Sequence, residues 1–167
     1  MNWDAIVEFP KMKVAVATRN VDGKPCVSSI RYLPPATATK APENALAERA
    51  VRQLERYREN ADAKFDLPLL IEGTDFQRGV WEIMRAIPRG RTLTYGEVAR
   101  KLGDGSFGTA RVVGQACGDN KLPIVIPCHR VVGADGIGGF SHTTEGYLIE
   151  VKRWLLMHEA GTFELRP

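Results

Sequence analysis

Apolar and polar residues alternate weakly along Met12 to Thr18, and Val27 to Leu33 can return as a second run, with Asp22-Gly23 between them. Period-two alternation around an Asp-Gly pair predicts a β-hairpin, and Pro34-Pro35 ends it. The spacing then changes. Leu46, Ala50, Leu54 and Tyr57 recur at helical intervals, so Asn44 is expected to cap a helix running to about Asn60. Phe65 to Glu72 contains Pro68 and reads as a short extended connector, where a domain boundary is placed.

The second half has helical periodicity. Thr74-Asp-Phe-Gln77 has the form of a capping box. It precedes an apolar stripe of Val80, Ile83, Met84 and Ile87 that Pro88 ends. Thr94-Tyr-Gly-Glu97 is a second capping box, followed by Val98, Ala99 and Leu102, with Gly103 as the stop. After a Gly-rich turn from Gly103 to Gly108, Thr109 to Gly118 makes another short helix. Two short helices around such a turn fit a helix-turn-helix, and equally a plain helical hairpin inside a core. Leu122 to Pro127 is an apolar run bounded by prolines, expected to be buried and extended. A last helix is expected from Glu145 to His158, with Leu148, Val151, Leu155 and His158 on one face.

These elements predict an α+β fold. Residues 1–72 are expected to form a small β-sheet with a helix, and residues 73–167 a mainly helical domain, whose two short helices are either a helix-turn-helix or a plain hairpin. The 167 residues are 44% hydrophobic and 26% charged, which is ordinary for one globular domain or two small ones. No run approaches the roughly 18 apolar residues of a membrane span. Met1 to Glu8 has no basic stretch followed by an apolar one, so a cytoplasmic protein without a signal peptide is expected. Cys26, Cys117 and Cys128 read as reduced thiols. Without a CxxC pair or suitable histidine spacing, neither a metal nor a cofactor is expected.

Charge is uneven. Residues 76–134 hold nine Lys/Arg against four acids, a net +5, whereas the last 33 residues hold three against five, a net −2. A basic middle suits an anionic partner such as nucleic acid, and it also suits a solvated surface. The apolar run delivers Cys128-His129-Arg130 into this basic segment. Positive charge beside a thiol favours the thiolate, which is the nucleophile. The same tripeptide could equally be an inert buried cysteine with His129 and Arg130 in solvent. Glu159 ends the last helix on its apolar side, four residues after Leu155. It is either a partner for His129, giving a Cys–His–Glu relay, or a solvated residue at a frayed end.

Several motifs together resemble one family. Ile126-Pro-Cys-His-Arg-Val-Val132 is similar to the active-site signature of the O6-alkylguanine-DNA alkyltransferases. Thr94-Tyr-Gly-Glu-Val-Ala99 resembles that family's first helix-turn-helix helix, and Ala110-Arg-Val-Val-Gly-Gln-Ala116 its recognition helix. Asn120 resembles the hinge asparagine, Gly138-Gly-Phe-Ser141 the pocket loop, and Leu155-Leu-Met-His-Glu159 the terminal helix. The similarity covers about residues 73–161.

The resemblance implies irreversible transfer of an alkyl group from O6 of guanine in DNA to Cys128, with O4-alkylthymine as a further candidate substrate. It implies that Glu159 and His129 deprotonate Cys128 through water, in a segment expected to be extended. It further implies that Tyr95 protonates the leaving base and that Arg111 fills the stack of the flipped nucleotide. Ala110 and Gly114 keep the recognition helix thin against the minor groove of double-stranded DNA. Carbonyls of Cys128 and Val131 read the base amine, Ser141 reads O6, and Phe140 closes the pocket. The expected protein is a monomer that can cluster along DNA. Three departures stand out. Lys121 rather than proline follows Asn120, Phe140 brings no hydroxyl, and the Gly103–Gly108 turn is long, so no DNA contacts are assigned to it. Two other classes compete: a helix-turn-helix regulator with a structural cysteine, and a cysteine hydrolase using Cys128 and His129.

Overall fold

Asp22 and Gly23 both take left-handed backbone angles, φ 52° and 79°. This is the geometry of a two-residue hairpin turn whose twist matches that of its strands. The turn joins β2 (Met12–Val21) to β3 (Lys24–Leu33) in the computed structural model of the chain, which describes residues 2–103 and 110–160. Residues 104–108 of the expected turn, and Thr109 as the expected start of the next helix, lie outside the described residues.

The chain forms two compact units, Met1–Ile71 and Glu72–Pro167. In the first, β1 (Ala5–Phe9) precedes the hairpin and pairs antiparallel with β2, giving the strand order β1-β2-β3. The sequence reading omitted β1, although Ala5, Val7 and Phe9 alternate as a strand should and are all buried. Helix α1 (Ala45–Glu59) starts where the side chain of Asn44 accepts from the Ala47 N–H at 2.8 Å. It buries Leu46, Ala50, Leu54 and Tyr57 against the sheet. The connector is extended, and Val27 of β3 holds it: its N–H donates to Pro68 and its carbonyl accepts from Leu70.

In the second unit, α2 (Asp75–Arg85) and α3 (Tyr95–Lys101) both open with complete capping boxes, Thr74/Gln77 and Thr94/Glu97. Helix α4 (Ala110–Gly118) packs against both. The buried indole of Trp81 donates to the Ala116 carbonyl at 2.8 Å. Trp81, rather than the expected Ile83, therefore joins Val80 and Met84 in the core.

Three expectations need correction. The run Leu122 to Pro127 is buried but not extended. It is a turn, in which the Ile126 N–H donates to Leu122 and Ile124 takes φ 72°. Pro123 and Pro127 have no N–H to offer a strand ladder, so a turn closed on itself suits them better. The segment Cys128–Arg130 is likewise a turn of 3-10 helix and not extended chain. The last helix, α5 (Tyr147–Ala160), buries Val151 and Leu155 as expected, but its buried face is shifted around the helix from the one expected. Leu148 and His158 are only half-buried, whereas Lys152 and Glu159 are buried. Two charged groups can occupy that face because each finds polar partners there.

Candidate active site

Two short strands set the site. β4 (Leu93–Thr94) lies parallel to β5 (Val131–Val132), with Leu93 opposite Val131 and Thr94 opposite Val132. Thr94 also caps α3, so one pairing brings the first residue of that helix, Tyr95, beside the segment that carries Cys128. The turn preceding Cys128 is stitched by Asn120. Its Nδ2 donates to the Ile126 carbonyl at 2.8 Å, and its Oδ1 accepts from the Leu122 N–H at 2.9 Å.

Cys128 is only 6% exposed. Burial pushes its thiol pKa up. The Asn120 side chain, the Lys152 charge and the N–H groups of Cys128 and His129 act in the opposite direction. Behind it, His129 and Glu159 are both out of solvent, with Nε2 of His129 2.8 Å from Oε2 of Glu159. Of the two readings of Glu159, a solvated helix end or a partner for His129, the structure shows the second: a buried acid at the end of α5. Burial opposes the Glu159 charge, but His129 and Arg130 outweigh it and hold the carboxyl well below the usual range. A carboxylate accepts, so Nε2 carries the proton. Burial pushes the His129 pKa down and keeps the ring neutral. Its Nδ1 is then a lone pair, and it has no hydrogen-bond partner among the described residues.

Two contributors were missed by the sequence reading. Arg130 was weighed only as a charge near the thiol. It grips Glu159 with two donors, Nε at 2.8 Å and a terminal nitrogen at 3.0 Å, while its third donor reaches the Ile87 carbonyl at 2.7 Å. Lys152 was not singled out. It is fully buried, and its Nζ donates to the carbonyls of Val131, Ile137 and Gly139 at 2.8, 2.6 and 2.9 Å. It also lies 3.4 Å from the Tyr95 hydroxyl. Burial brings its pKa down to about 8. A signal was available: Lys152 stands four residues after Leu148 and seven before Glu159, on one helical face.

Cys128 opens onto a cavity of about 410 Å³. Tyr95, Ala110, Arg111, Gly114, Phe140 and Ser141 line it together with Cys128. His129, Glu159, Asn120 and Val131 do not line it, and the Val131 carbonyl is taken by Lys152. Tyr95 donates to the Gly139 carbonyl at 3.1 Å, and burial raises its pKa so that the phenol stays protonated. Gly138 has φ 74°, and a Cβ there would fall 3.0 Å from the Tyr95 ring, so only glycine suits that position. Cys117 also lines the cavity, but burial pushes its thiol up to about 12. Ala110 and Arg111 are exposed, and Gly114 faces the Tyr95 ring across the α3–α4 contact.

Among the described residues, no three or more His, Cys, Asp or Glu side chains gather as a metal site, and no helix is long and apolar enough to cross a membrane.

The same region is shared with known proteins. Residues 75–161 match the family described as the DNA-binding domain of 6-O-methylguanine DNA methyltransferase. A methylated-DNA–protein-cysteine methyltransferase of Methanosarcina acetivorans is 40% identical over 113 residues, covering 67% of this chain and 68% of the relative. Alignments to two mycobacterial relatives span 52% and 61% of their lengths. The crystal structure of Mycobacterium tuberculosis O6-methylguanine methyltransferase superposes with a TM-score of 0.75 at 33% identity, over 95% of this chain and 93% of that one. The same organism's protein in complex with DNA gives a TM-score of 0.73 at 34% identity, over 93% and 92%. The family match extends over more than half of the chain and the fold is shared along nearly all of it, so this protein belongs to the 6-O-methylguanine DNA methyltransferase family.

Proposed function

We propose that the protein repairs DNA directly, by moving an alkyl group from O6 of guanine to Sγ of Cys128. One observation carries this reading: the nearly inaccessible Cys128 faces the cavity beside α4 and is backed by a buried His129–Glu159–Arg130 chain. Burial alone would leave Cys128 a thiol. The free Nδ1 of His129 is the base that takes its proton through a bridging water, and Glu159 stabilises the imidazolium that results. The S–C bond forms as the O6–C bond breaks. The electron pair stays on guanine, and Tyr95, kept protonated by burial, donates to the base as that charge develops.

An O6 substituent is out of reach inside a duplex, so the nucleotide must leave the stack. Helix α4 presents small Ala110 and the exposed Arg111 at the cavity mouth, which suits a thin element entering the minor groove with a cation to occupy the gap. Phe140 and Ser141 form the opposite wall, where a ring can stack on the base and a hydroxyl can reach O6. A thioether has no leaving tendency under these conditions, so each molecule acts once. A regulator would not need its cysteine at the floor of a cavity, and a hydrolase would turn over repeatedly.

The test is mass spectrometry of the protein after incubation with duplex DNA carrying O6-methylguanine. We expect one methyl per protein, on Cys128, and none in Cys128→Ala. A methyl on Cys117, or many turnovers per molecule, overturns the proposal.

A further inference from the structure

The cavity wall opposite α4 is a tight turn with an unusual residue at its tip. Phe140 and Thr143 exchange both backbone hydrogen bonds, at 2.8 and 3.0 Å. The two residues between them, Ser141 and His142, take φ 49° and 64°. Glycine and asparagine are the residues that adopt such angles readily, and histidine does so far less often. A side chain kept in that conformation needs something to hold it there.

The holding contacts are all visible. The His142 ring lies directly over Gly118, the last residue of α4: a Cβ built on Gly118 would fall 2.4–2.6 Å from three ring atoms. His142 Nε2 donates to Oδ1 of Asp119 at 3.1 Å. The other oxygen of Asp119 accepts from Gln77 Nε2 at 3.1 Å, and Gln77 is itself fixed in the capping box of α2. Both His142 and Gly118 line the cavity. The wall is therefore tied at its tip to the end of α4, and through Asp119 to the start of α2.

We infer that His142, seated on Gly118 and bonded to Asp119, is a latch that stops the cavity wall from receding and so limits the size of the alkyl group the site accepts. The inference rests on the alkyl-transfer reading above for its substrate. The mechanical part does not. With the latch in place, a bulky substituent must fit between the turn and α4. With the latch released, Ser141 to Thr144 can move away and the cavity can widen.

The test uses the full chain and one duplex sequence carrying either O6-methylguanine or O6-benzylguanine. Asp119→Ala removes the hydrogen bond of the latch, Gly118→Ala pushes the ring off its seat, and His142→Gly removes both contacts. In each we expect the benzyl-to-methyl rate ratio to rise by roughly tenfold, the scale on which an apolar pocket discriminates. The double variant Asp119→Ala/His142→Gly should rise no further than the larger single effect, since the two residues act as one unit. Amide hydrogen exchange over residues 139–144 should quicken in the same variants, with no substrate present. Asp119 is at the surface, so its variant remains informative if His142→Gly fails to fold. An unchanged ratio in all three variants, or an equal loss of both rates, overturns the size limit. Unchanged exchange overturns the latch itself. Failure of the wild type to take up methyl would instead count against the alkyl-transfer reading, and the exchange measurement would still decide the latch.

Discussion

His129 and Glu159 come from segments 30 residues apart and meet at 2.8 Å with both side chains out of solvent. The contact fixes the histidine tautomer. With the proton on Nε2 committed to the carboxylate, Nδ1 is left with its lone pair, as the proposed base requires. Arg130 supplies the counter-charge, donating to both carboxylate oxygens, so the pair is embedded in a three-residue cluster and does not rely on the neutral imidazole alone.

Glu159→Gln should therefore cost both activity and stability. Removing one partner of a buried charge cluster costs about 3–5 kcal/mol, because Arg130 is left without its counter-ion. The pH dependence has a definite sign. Glu159 has a lowered pKa in the folded state, so the stability it contributes is complete above the ordinary value of 4.5 and declines as pH falls below it. Urea titrations across that range should show a steeper acid loss in the wild type than in Glu159→Gln. Parallel curves would mean that the carboxylate is not stabilised by its neighbours.

Lys152 shifts in the same direction, in an alkaline window. Its folded pKa of about 8 lies below the ordinary 10.5, so the unfolded chain binds the extra proton between those values. Stability contributed by this group therefore increases as pH rises from 8 to 10.5. The raised thiol of Cys117 works against it over part of that window, so the difference between wild type and Lys152→Met isolates the lysine. Lys152→Met should remove the rise. It should also destabilise the protein by about 1–3 kcal/mol through the buried carbonyls of Val131, Ile137 and Gly139 that lose their donor. Denaturant melts at pH 7.5 and 10, about half a unit from either end of the window, supply the comparison.

Arg111→Ala separates base extrusion from chemistry. Arg111 is exposed and lines the cavity, whereas neither His129 nor Glu159 does. We expect repair of duplex DNA to fall by roughly tenfold or more, on the scale of a contact worth about 1–3 kcal/mol, while reaction with free O6-benzylguanine changes little. Stopped-flow rates with the two substrates decide it. Equal losses on both would remove Arg111 from extrusion.

Much of the architecture was legible without coordinates because it rests on local physics. Asp22-Gly23 specified its hairpin, since few other pairs accept two left-handed residues in succession. Thr74/Gln77 and Thr94/Glu97 marked helix starts because a capping box satisfies backbone donors within four residues. β1 was missed as a five-residue strand whose pairing partner, β2, is what makes it a strand. The turn at Leu122 to Pro127 was misread because an apolar run looks the same whether extended or folded on itself, and only the Asn120 side chain and its neighbours choose between them.

The site divides in the same way. Residue identity marked Cys128 and His129 as candidates in basic surroundings, but an inert buried cysteine fitted the same tripeptide equally well until the neighbouring motifs were read with it. Whether Glu159 was a solvated terminus or a buried acid depended on what faced it, and that residue, Arg130, is 29 positions away. The burial of Lys152 was likewise undetermined until three carbonyls converged on it. Burial of a charge is decided by partners brought together from distant parts of the chain, and a helical pattern cannot encode which partners arrive. The sequence by itself determined the helix and hairpin starts and which short segment carries the candidate nucleophile. Only the tertiary structure decided which charges are buried, which tautomer His129 holds and which wall closes the cavity.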